Sequence, residues 1–163
     1  MAKSTKKIAL LGNPNSGKTA LFNILTGLNQ KVSNYPGVTV EQTFGMAKFE
    51  TTMVQVHDLP GTYSLVPESQ DEVIVSQEII KWVQEESAPD CIVSIVDSTN
   101  LERNLYLTSQ LTDLGIPIVI ALNMTDLARE KQLEVDGSKI KKSLGVSSVV
   151  PISARLNEGI DLL

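Results

Sequence analysis

An eight-residue stretch near the N-terminus, GNPNSGKT, constrains the fold more than any other part of this sequence. It occupies positions 12–19 and has the form G-x-x-x-x-G-K-[ST]. Four apolar residues precede it at positions 8–11, and leucine and isoleucine at helical spacing follow it. A strand, a glycine loop and a helix in this order hold phosphate groups with backbone N–H groups at the start of the helix. The stretch therefore predicts an α/β fold with a polyphosphate site at the end of its first strand.

The residue types in this loop indicate separate chemical roles. Glycines permit the turn, Lys18 is expected to place its ammonium between the β- and γ-phosphates, and the Thr19 hydroxyl is expected to bind the Mg²⁺ that bridges them. A turn rich in glycine and asparagine without a ligand is the alternative, and the flanking strand and helix argue against it. The residues predicted to line the phosphates are Gly12, Asn13, Pro14, Asn15, Ser16, Gly17, Lys18, Thr19 and Ala20.

Length and charge limit the kind of protein. The 163 residues suffice for one domain with a real core, and 42% of them are hydrophobic. A net charge of -5 without a long basic run argues against nucleic acid as a direct partner. Cys91 is the only cysteine, which excludes an intrachain disulfide. No apolar run approaches the roughly 20 residues that span a bilayer, so we expect any membrane connection to lie outside this chain.

The hydrophobic pattern alternates strands with helices, which predicts a mostly parallel sheet with helices on both faces. Strands are predicted at 8–11, 40–49, 52–58, 91–97, 116–122 and 146–152. Helices are predicted at about 17–27, after 126 and around 138–144. A further helix begins at a capping box at 69–72 and runs to about 86, and another begins at 101 and breaks at 115. The second and third strands are too close for a crossover and should pair antiparallel, giving six strands with one antiparallel edge strand. The segment 29–38 has no clear period and is predicted to be an extended, mobile loop.

Two segments after the first helix are placed to complete the phosphate end of a nucleotide site. Asp58 ends a strand and is expected to hold Mg²⁺ through a water molecule, while the Gly61 N–H bonds the γ-phosphate. Thr39 lies in the preceding loop, where its hydroxyl would reach Mg²⁺ while a γ-phosphate is present. Strand-end turns and loop threonines are also common without a ligand. The residues assigned to the ligand here are Gly37, Val38, Thr39, Asp58, Leu59, Pro60 and Gly61.

Two later segments indicate that the base is guanine. The sequence from Asn123 to Asp126 has the form N-x-x-D, with Met124 expected to cover the plane of the base. Guanine presents N1–H and N2–H₂ to one carboxylate and adenine does not, so Asp126 is expected to select guanine. Ser153 and Ala154 would bring a backbone N–H to guanine O6. Each segment is common by chance, but their order at the carboxyl ends of strands is the one that a ligand on an open parallel sheet requires.

With these residues the chain resembles the translation-factor-like branch of small GTPases, and within it the cytosolic G domain of ferrous iron transport protein B. The similarity is carried by GNPNSGKT at 12–19, QKVSNYPGVTVE at 30–41, DLPGTYSL at 58–65 and NMTD at 123–126. The resemblance implies a Ras-like P-loop GTPase fold that binds GTP or GDP with Mg²⁺ and hydrolyses GTP. It also implies that residues 1–163 form a single G domain at the cytoplasmic face of a bacterial inner membrane. Its partners would then be a helical domain and a transmembrane domain of the same longer protein, and a homo-oligomer stays open.

Two positions in these motifs bear on the rate of hydrolysis. Thr62 follows Gly61 where the best-known small GTPases carry a Gln that orients water, and a Thr is too short for that role, so we predict slow intrinsic hydrolysis. GTPases with Asn at the position of Asn15 resemble one another in using K⁺, which implies K⁺ as a further cofactor here; an Asn that only bonds its own loop is the alternative. The residues assigned to catalysis are Asn15, Lys18, Thr39 and Gly61. The metal ligands are Thr19, Thr39 and Asp58 for Mg²⁺ and Asn15 for K⁺.

Other functions share parts of this pattern. A ribosome-assembly or RNA-modification GTPase carries the same motifs but usually adds a basic RNA-binding domain. A nucleotide-dependent interaction module with negligible hydrolysis would switch a partner through its two loops. A P-loop kinase would need a lid and an acceptor-binding region, and nothing between Asp58 and Asp126 resembles one.

Two ring side chains near the motifs have simpler interpretations. His57 adjoins Asp58, but neighbours in a strand face opposite sides, so a structural histidine is favoured over a general base. Tyr35 either covers the nucleotide when the first loop closes or is a simple loop aromatic.

Overall fold

A computed structural model describes residues 5–28, 30–35, 40–49, 52–85 and 87–163. The strands are β1 Lys6–Gly12, β2 Gln30–Asn34, β3 Glu41–Phe49, β4 Thr52–Asp58, β5 Cys91–Asp97, β6 Ile118–Asn123 and β7 Ser148–Pro151. The helices are α1 Lys18–Thr26, α2 Gln70–Gln84, α3 Leu101–Thr112, α4 Thr125–Glu130 and α5 Gly137–Leu144, followed by a short 3₁₀ turn at Ile160–Leu162.

The strands form one sheet in the order β2-β3-β4-β1-β5-β6-β7. The pairs from β4 through β1 and β5 to β6 and β7 are parallel, whereas β3 pairs antiparallel with β4 and β2 antiparallel with β3. The predicted mostly parallel sheet with an antiparallel edge is confirmed, with seven strands in place of six. Because β1, β4, β5 and β6 run in the same direction, their carboxyl ends lie along one edge of the sheet.

The additional strand comes from the segment that was predicted to be a loop. Residues Gln30–Asn34 form β2, and all five side chains are exposed. A strand that is exposed on both faces shows no alternation of apolar and polar residues, so its sequence gives no strand signal. Its strand conformation follows from backbone hydrogen bonds to β3. The loop prediction is therefore wrong for these five residues. Residue 29 and residues 36–38 lie outside the described part of the chain.

Helices pack on both faces of the sheet, as predicted. One core contains side chains of α2, α3 and α5, including Val75, Leu111 and Ile140, and the other contains Leu21 and Phe22 of α1. Within β1, Ala9 and Leu11 face the first core and Leu10 faces the second, so the strand is buried on both sides. None of the helices in the described part of the chain combines the length and the hydropathy of a membrane span.

Candidate nucleotide-binding site

The glycine loop runs from the end of β1 to the start of α1, as its sequence predicts. Gly17 precedes α1 with a left-handed φ of 90°. A Cβ atom added there would lie 2.2 Å from Nδ2 of Asn123, so both the backbone angle and the space require glycine. Asn15 also has a left-handed φ, 64°, which asparagine tolerates better than most residues. The loop is therefore tightly curved and packed against the end of β6.

The loop has the donors that a phosphate group needs. The first turn of α1 leaves backbone N–H groups without helical acceptors, and no side chain in the described part of the chain caps them. Ser16 Oγ is buried within the loop and has no hydrogen-bond partner among the described residues. Buried hydroxyls are nearly always bonded in folded proteins, so this one is poised for an external acceptor. These groups fit an anion such as a polyphosphate.

Lys18 and Asp58 meet beside this loop. Lys18 Nζ donates to Asp58 Oδ1, and each side chain is about 10% exposed. The parallel pairing of β1 with β4 sets Leu10 opposite Asp58 and so brings the end of β4 next to the loop. Burial raises the pKa of Asp58, and the Lys18 ammonium opposes that rise. The two groups assigned to phosphate and magnesium thus lie together, while Thr19 is exposed at the start of α1.

The segment after Asp58 passes close to the glycine loop. Thr62 N–H donates to the Gly12 carbonyl at 3.1 Å, and a Cβ added to Gly61 would lie 3.1 Å from Pro14 Cα. The structure therefore brings Gly61 next to the glycine loop. The Leu59 side chain is fully buried in the core, so only the Leu59 backbone lies near the site.

A buried carboxylate organises the chain that follows Gly61. Glu72 accepts hydrogen bonds from the backbone N–H groups of Glu68 at 2.8 Å and Tyr63 at 3.1 Å, and from Thr62 Oγ1 at 3.2 Å. These donors, with the Glu68 N–H first, lower the pKa of Glu72. Thr62 is fully buried, so its hydroxyl points into the protein. The capping box predicted the bond from Glu72 N–H to Ser69 Oγ, which is present at 3.3 Å, but not the bonds of the Glu72 carboxylate to Thr62, Tyr63 and Glu68.

At the other end of the site, Asn123 joins two loops. Its Nδ2 donates to the Ser16 carbonyl at 2.8 Å, and its Oδ1 accepts the Ala154 N–H at 3.0 Å. The Ser153 N–H donates to the Glu158 carbonyl at 3.0 Å. A bond from either N–H to guanine O6 stays a prediction, and it requires one of these two groups to change partner. Met124 is half-buried with a left-handed φ of 63°.

Asp126 is buried between two donors. Its Oδ1 accepts the Ser153 hydroxyl at 2.9 Å, and its Oδ2 accepts a hydrogen bond from Nε of Arg155 at 2.8 Å. Nη2 of Arg155 lies 2.6 Å from the same Oδ2 and completes an ion pair. Burial alone would raise the pKa of Asp126, but bonds from Ser153 and Arg155 outweigh it and leave the pKa lowered. The carboxylate assigned to guanine is therefore ionised and bonded on both oxygens. Nothing in the N-x-x-D pattern indicated Arg155.

Tyr35 contacts His57 of β4. Its hydroxyl is 3.1 Å from His57 Nε2, and Phe44 stacks on the His57 ring with centroids 4.2 Å apart. Burial, with a smaller effect from Lys18, lowers the pKa of His57 to about 4, so the ring is neutral at pH 7. The Tyr35 side chain is buried in this contact. Gly37, Val38 and Thr39 lie outside the described residues, and their assignments stay predictions.

A family model described as Ferrous iron transport protein B matches residues 6–163. The chain belongs to the ferrous iron transport protein B family. It is 48% identical over 158 residues to the Fe(2+) transporter FeoB of Legionella pneumophila (strain Paris), covering 94% of this chain and 20% of that protein. The chain thus spans about one fifth of the length of this FeoB relative.

Solved FeoB structures share this fold. An S. thermophilus NFeoB mutant bound to mGDP is 45% identical with a TM-score of 0.88, covering 98% of this chain and 58% of that chain. The cytosolic domain of the T. maritima FeoB iron transporter in a GMPPNP form is 37% identical with a TM-score of 0.88, covering 97% of this chain and 60% of that chain. The α/β fold is thus that of the FeoB cytosolic G domain.

Proposed function

We propose that this chain is the guanine-nucleotide domain of a ferrous iron transporter, that it binds GTP and GDP with Mg²⁺ and that it hydrolyses GTP slowly. The observation that carries the proposal is the link through Asn123 between the glycine loop and the loop of Ser153 and Ala154, which contacts Asp126. A curved loop with backbone N–H donors and a buried, ionised carboxylate at one edge of the sheet support a site for a guanine nucleotide. The mGDP and GMPPNP ligands of the S. thermophilus and T. maritima relatives support it.

Different residues of the chain have different roles in the proposed hydrolysis. In-line attack of water requires positive charge at the phosphate oxygens and a fixed substrate geometry. Lys18 supplies charge by exchanging Asp58 for the phosphates, and the Gly61 N–H bonds the γ-phosphate. Mg²⁺, when bound, neutralises charge on the phosphate oxygens, and Thr19, Thr39 and Asp58 would hold it, Asp58 through water. Thr62 points inward and orients no water, which fits slow turnover.

The remaining assignments extend the same proposal. Residues 1–163 act as one G domain, joined in the longer protein to helical and transmembrane parts and located at the cytoplasmic face of the membrane. K⁺, when bound at the exposed Asn15, would add positive charge beside the phosphates.

Titration with guanine and adenine nucleotides tests the proposal. Wild type is expected to bind GDP and a GTP analogue but not an ATP analogue. Asp126→Ala should lose at least ~2 kcal/mol of GDP affinity, because a carboxylate that accepts two N–H groups of the base is removed. Asp126→Asn should instead gain affinity for xanthosine diphosphate, whose 2-oxo group accepts a bond from the new amide. The control Asp113→Ala removes an exposed carboxylate elsewhere and should bind GDP like wild type.

Equal binding of ATP and GTP analogues by wild type, or unchanged GDP binding by Asp126→Ala, would overturn the base assignment. Circular dichroism of each variant separates a folding defect from a binding defect.

A further inference from the structure

Arg155 makes the same kind of contact with Asp126 that a guanine base would make. Its Nε donates to Oδ2 at 2.8 Å and its Nη2 lies 2.6 Å from the same oxygen, while the Ser153 hydroxyl donates to Oδ1. Guanine would present N1–H and N2–H₂, which are also two N–H donors in one plane. The guanidinium carries a full positive charge and the base carries none, so its bonds to a carboxylate are the stronger ones.

The position of the guanidinium makes the two contacts mutually exclusive. Asp126 is 6% exposed, whereas the Arg155 side chain is 63% exposed. A buried carboxylate bonded to an exposed arginine has that arginine on its solvent side, the side from which a ligand approaches. Oδ1 can accept a second hydrogen bond beside that of Ser153, but both nitrogens of Arg155 lie within 2.8 Å of Oδ2. A base that bonds both carboxylate oxygens therefore requires Arg155 to leave Oδ2.

A second acceptor lies within reach of the displaced side chain. Nη2 of Arg155 is 3.6 Å from Oε1 of Glu130, which is 67% exposed. The guanidinium can therefore move from Asp126 to Glu130 without losing an ionic partner. This move replaces the ion pair with the buried Asp126 by an ion pair with the exposed Glu130. The second pair is weaker because water screens it.

We propose that Arg155 is an internal competitor of guanine for Asp126, and that it weakens nucleotide binding and speeds nucleotide release. The inference rests on the proposed function, because it assigns a regulatory residue to the same base site. Binding energy spent on displacing Arg155 is lost from the measured affinity, and returning Arg155 to Asp126 helps to expel the base.

Stopped-flow binding of a fluorescent GDP to Arg155→Ala tests this proposal. We expect a dissociation constant lower than that of wild type by roughly two- to ten-fold, the range for a charged contact that is partly exposed, and a slower dissociation rate. Arg129→Ala is the matched control, because Arg129 is also 63% exposed and pairs with a carboxylate, Glu158, at 2.6 Å. It removes the same charge without touching Asp126 and should leave the dissociation rate unchanged.

Two further measurements separate competition from a structural role. Inorganic triphosphate has no base, so its affinity should be equal in wild type and Arg155→Ala. Arg155→Ala should also lower the melting temperature without nucleotide, and the difference should shrink at saturating GDP, because Arg155 has then left Asp126 in wild type too. If Arg155→Ala fails to fold, Arg155→Lys keeps the charge but lacks the paired donors, and it should still bind GDP more tightly than wild type.

Failure of wild type to bind GDP would reject the proposed function itself. Normal GDP binding by wild type with equal or weaker binding by Arg155→Ala, or by Arg155→Lys where the alanine variant does not fold, would overturn the role of Arg155 alone. Equal gains for GDP and inorganic triphosphate would also overturn it, because the effect would then not act through the base.

Discussion

Lys18 and Asp58 form a buried ion pair across 40 positions of sequence. The pair exists because β1 and β4 are parallel neighbours that end at the same edge of the sheet. Both side chains have phosphate or metal roles in the proposed function. Each therefore serves as the other's partner until a ligand replaces it.

Replacing Lys18 by Ala should destabilise the fold as well as abolish GTP turnover. The Asp58 carboxylate would lose its partner while buried, and we expect about 3–5 kcal/mol less free energy of unfolding at pH 7. The second change in Lys18→Ala/Asp58→Asn should restore most of that loss, because no buried charge remains. Urea unfolding of the single and double variants measures both effects. Lys81→Ala is the control, because its ammonium is 45% exposed and lies 3.7 Å from Glu78, so it should change stability less than Lys18→Ala. Equal stability of wild type and Lys18→Ala would contradict the buried pair.

Turnover of GTP in K⁺ and in Na⁺ tests the assignment of Asn15. If its side-chain oxygen binds K⁺, wild type should turn over at least about tenfold faster in K⁺, the scale of one charge-stabilising contact. Asn15→Ala should abolish the difference, but it also places Ala at a φ of 64°. Asn15→Gly removes the oxygen without that strain and is the matched variant. If Asn15→Gly is still activated by K⁺, the Asn15 side chain is not a K⁺ ligand and contributes only to the conformation of the loop.

The neutral His57 should make stability depend on pH. Its pKa is lowered to about 4 in the folded protein from an ordinary value of 6.5, mainly by burial. Between these two values the unfolded chain binds the proton more readily, so stability falls as pH decreases from about 6.5 to about 4, by up to about 3 kcal/mol. His57→Gln keeps an acceptor for Tyr35 and should lose this part of the pH dependence. Denaturant titrations at pH 7 and pH 5 compare the two proteins, and parallel losses in both would contradict the assignment.

Removing the Glu72 carboxylate should loosen the segment after Gly61. In Glu72→Ala the N–H groups of Tyr63 and Glu68 lose their acceptor, at a cost of about 1–3 kcal/mol. Because the pKa of Glu72 is lowered in the folded protein, its contribution is present near neutral pH and is lost as pH falls toward the folded pKa. Hydrogen exchange at residues 62–68 measures the loosening, and Glu102→Ala on the exposed face of α3 is the control. Unchanged protection in Glu72→Ala would contradict the role of the carboxylate.

The sequence predicted those parts of the fold that carry a periodic or motif signal. Apolar runs located β1, β5 and β6, and the glycine motif located the loop before α1, because burial on both faces and a fixed turn restrict the residue types. β2 had no such signal, since its side chains are all exposed and only backbone bonds hold it.

The candidate site divides in the same way. Lys18, Asp58 and Gly61 were assigned to one site from motifs at the carboxyl ends of strands, and the structure brings them close together. Arg155 and the inward-pointing Thr62 were not predicted, because each depends on where a side chain points after a turn. A short motif fixes the backbone path but not the partner of a neighbouring long side chain such as Arg155.

Asn123 fixes the distance between the two loops of the site. One amide group bonds the Ser16 carbonyl on one side and the Ala154 N–H on the other, and Gly17 leaves no room beside it. In the proposed function these contacts set the spacing between the base pocket and the phosphate pocket. A guanine ligand with a spacer longer or shorter than a ribose would then fill only one of the two pockets unless the Asn123 bonds broke.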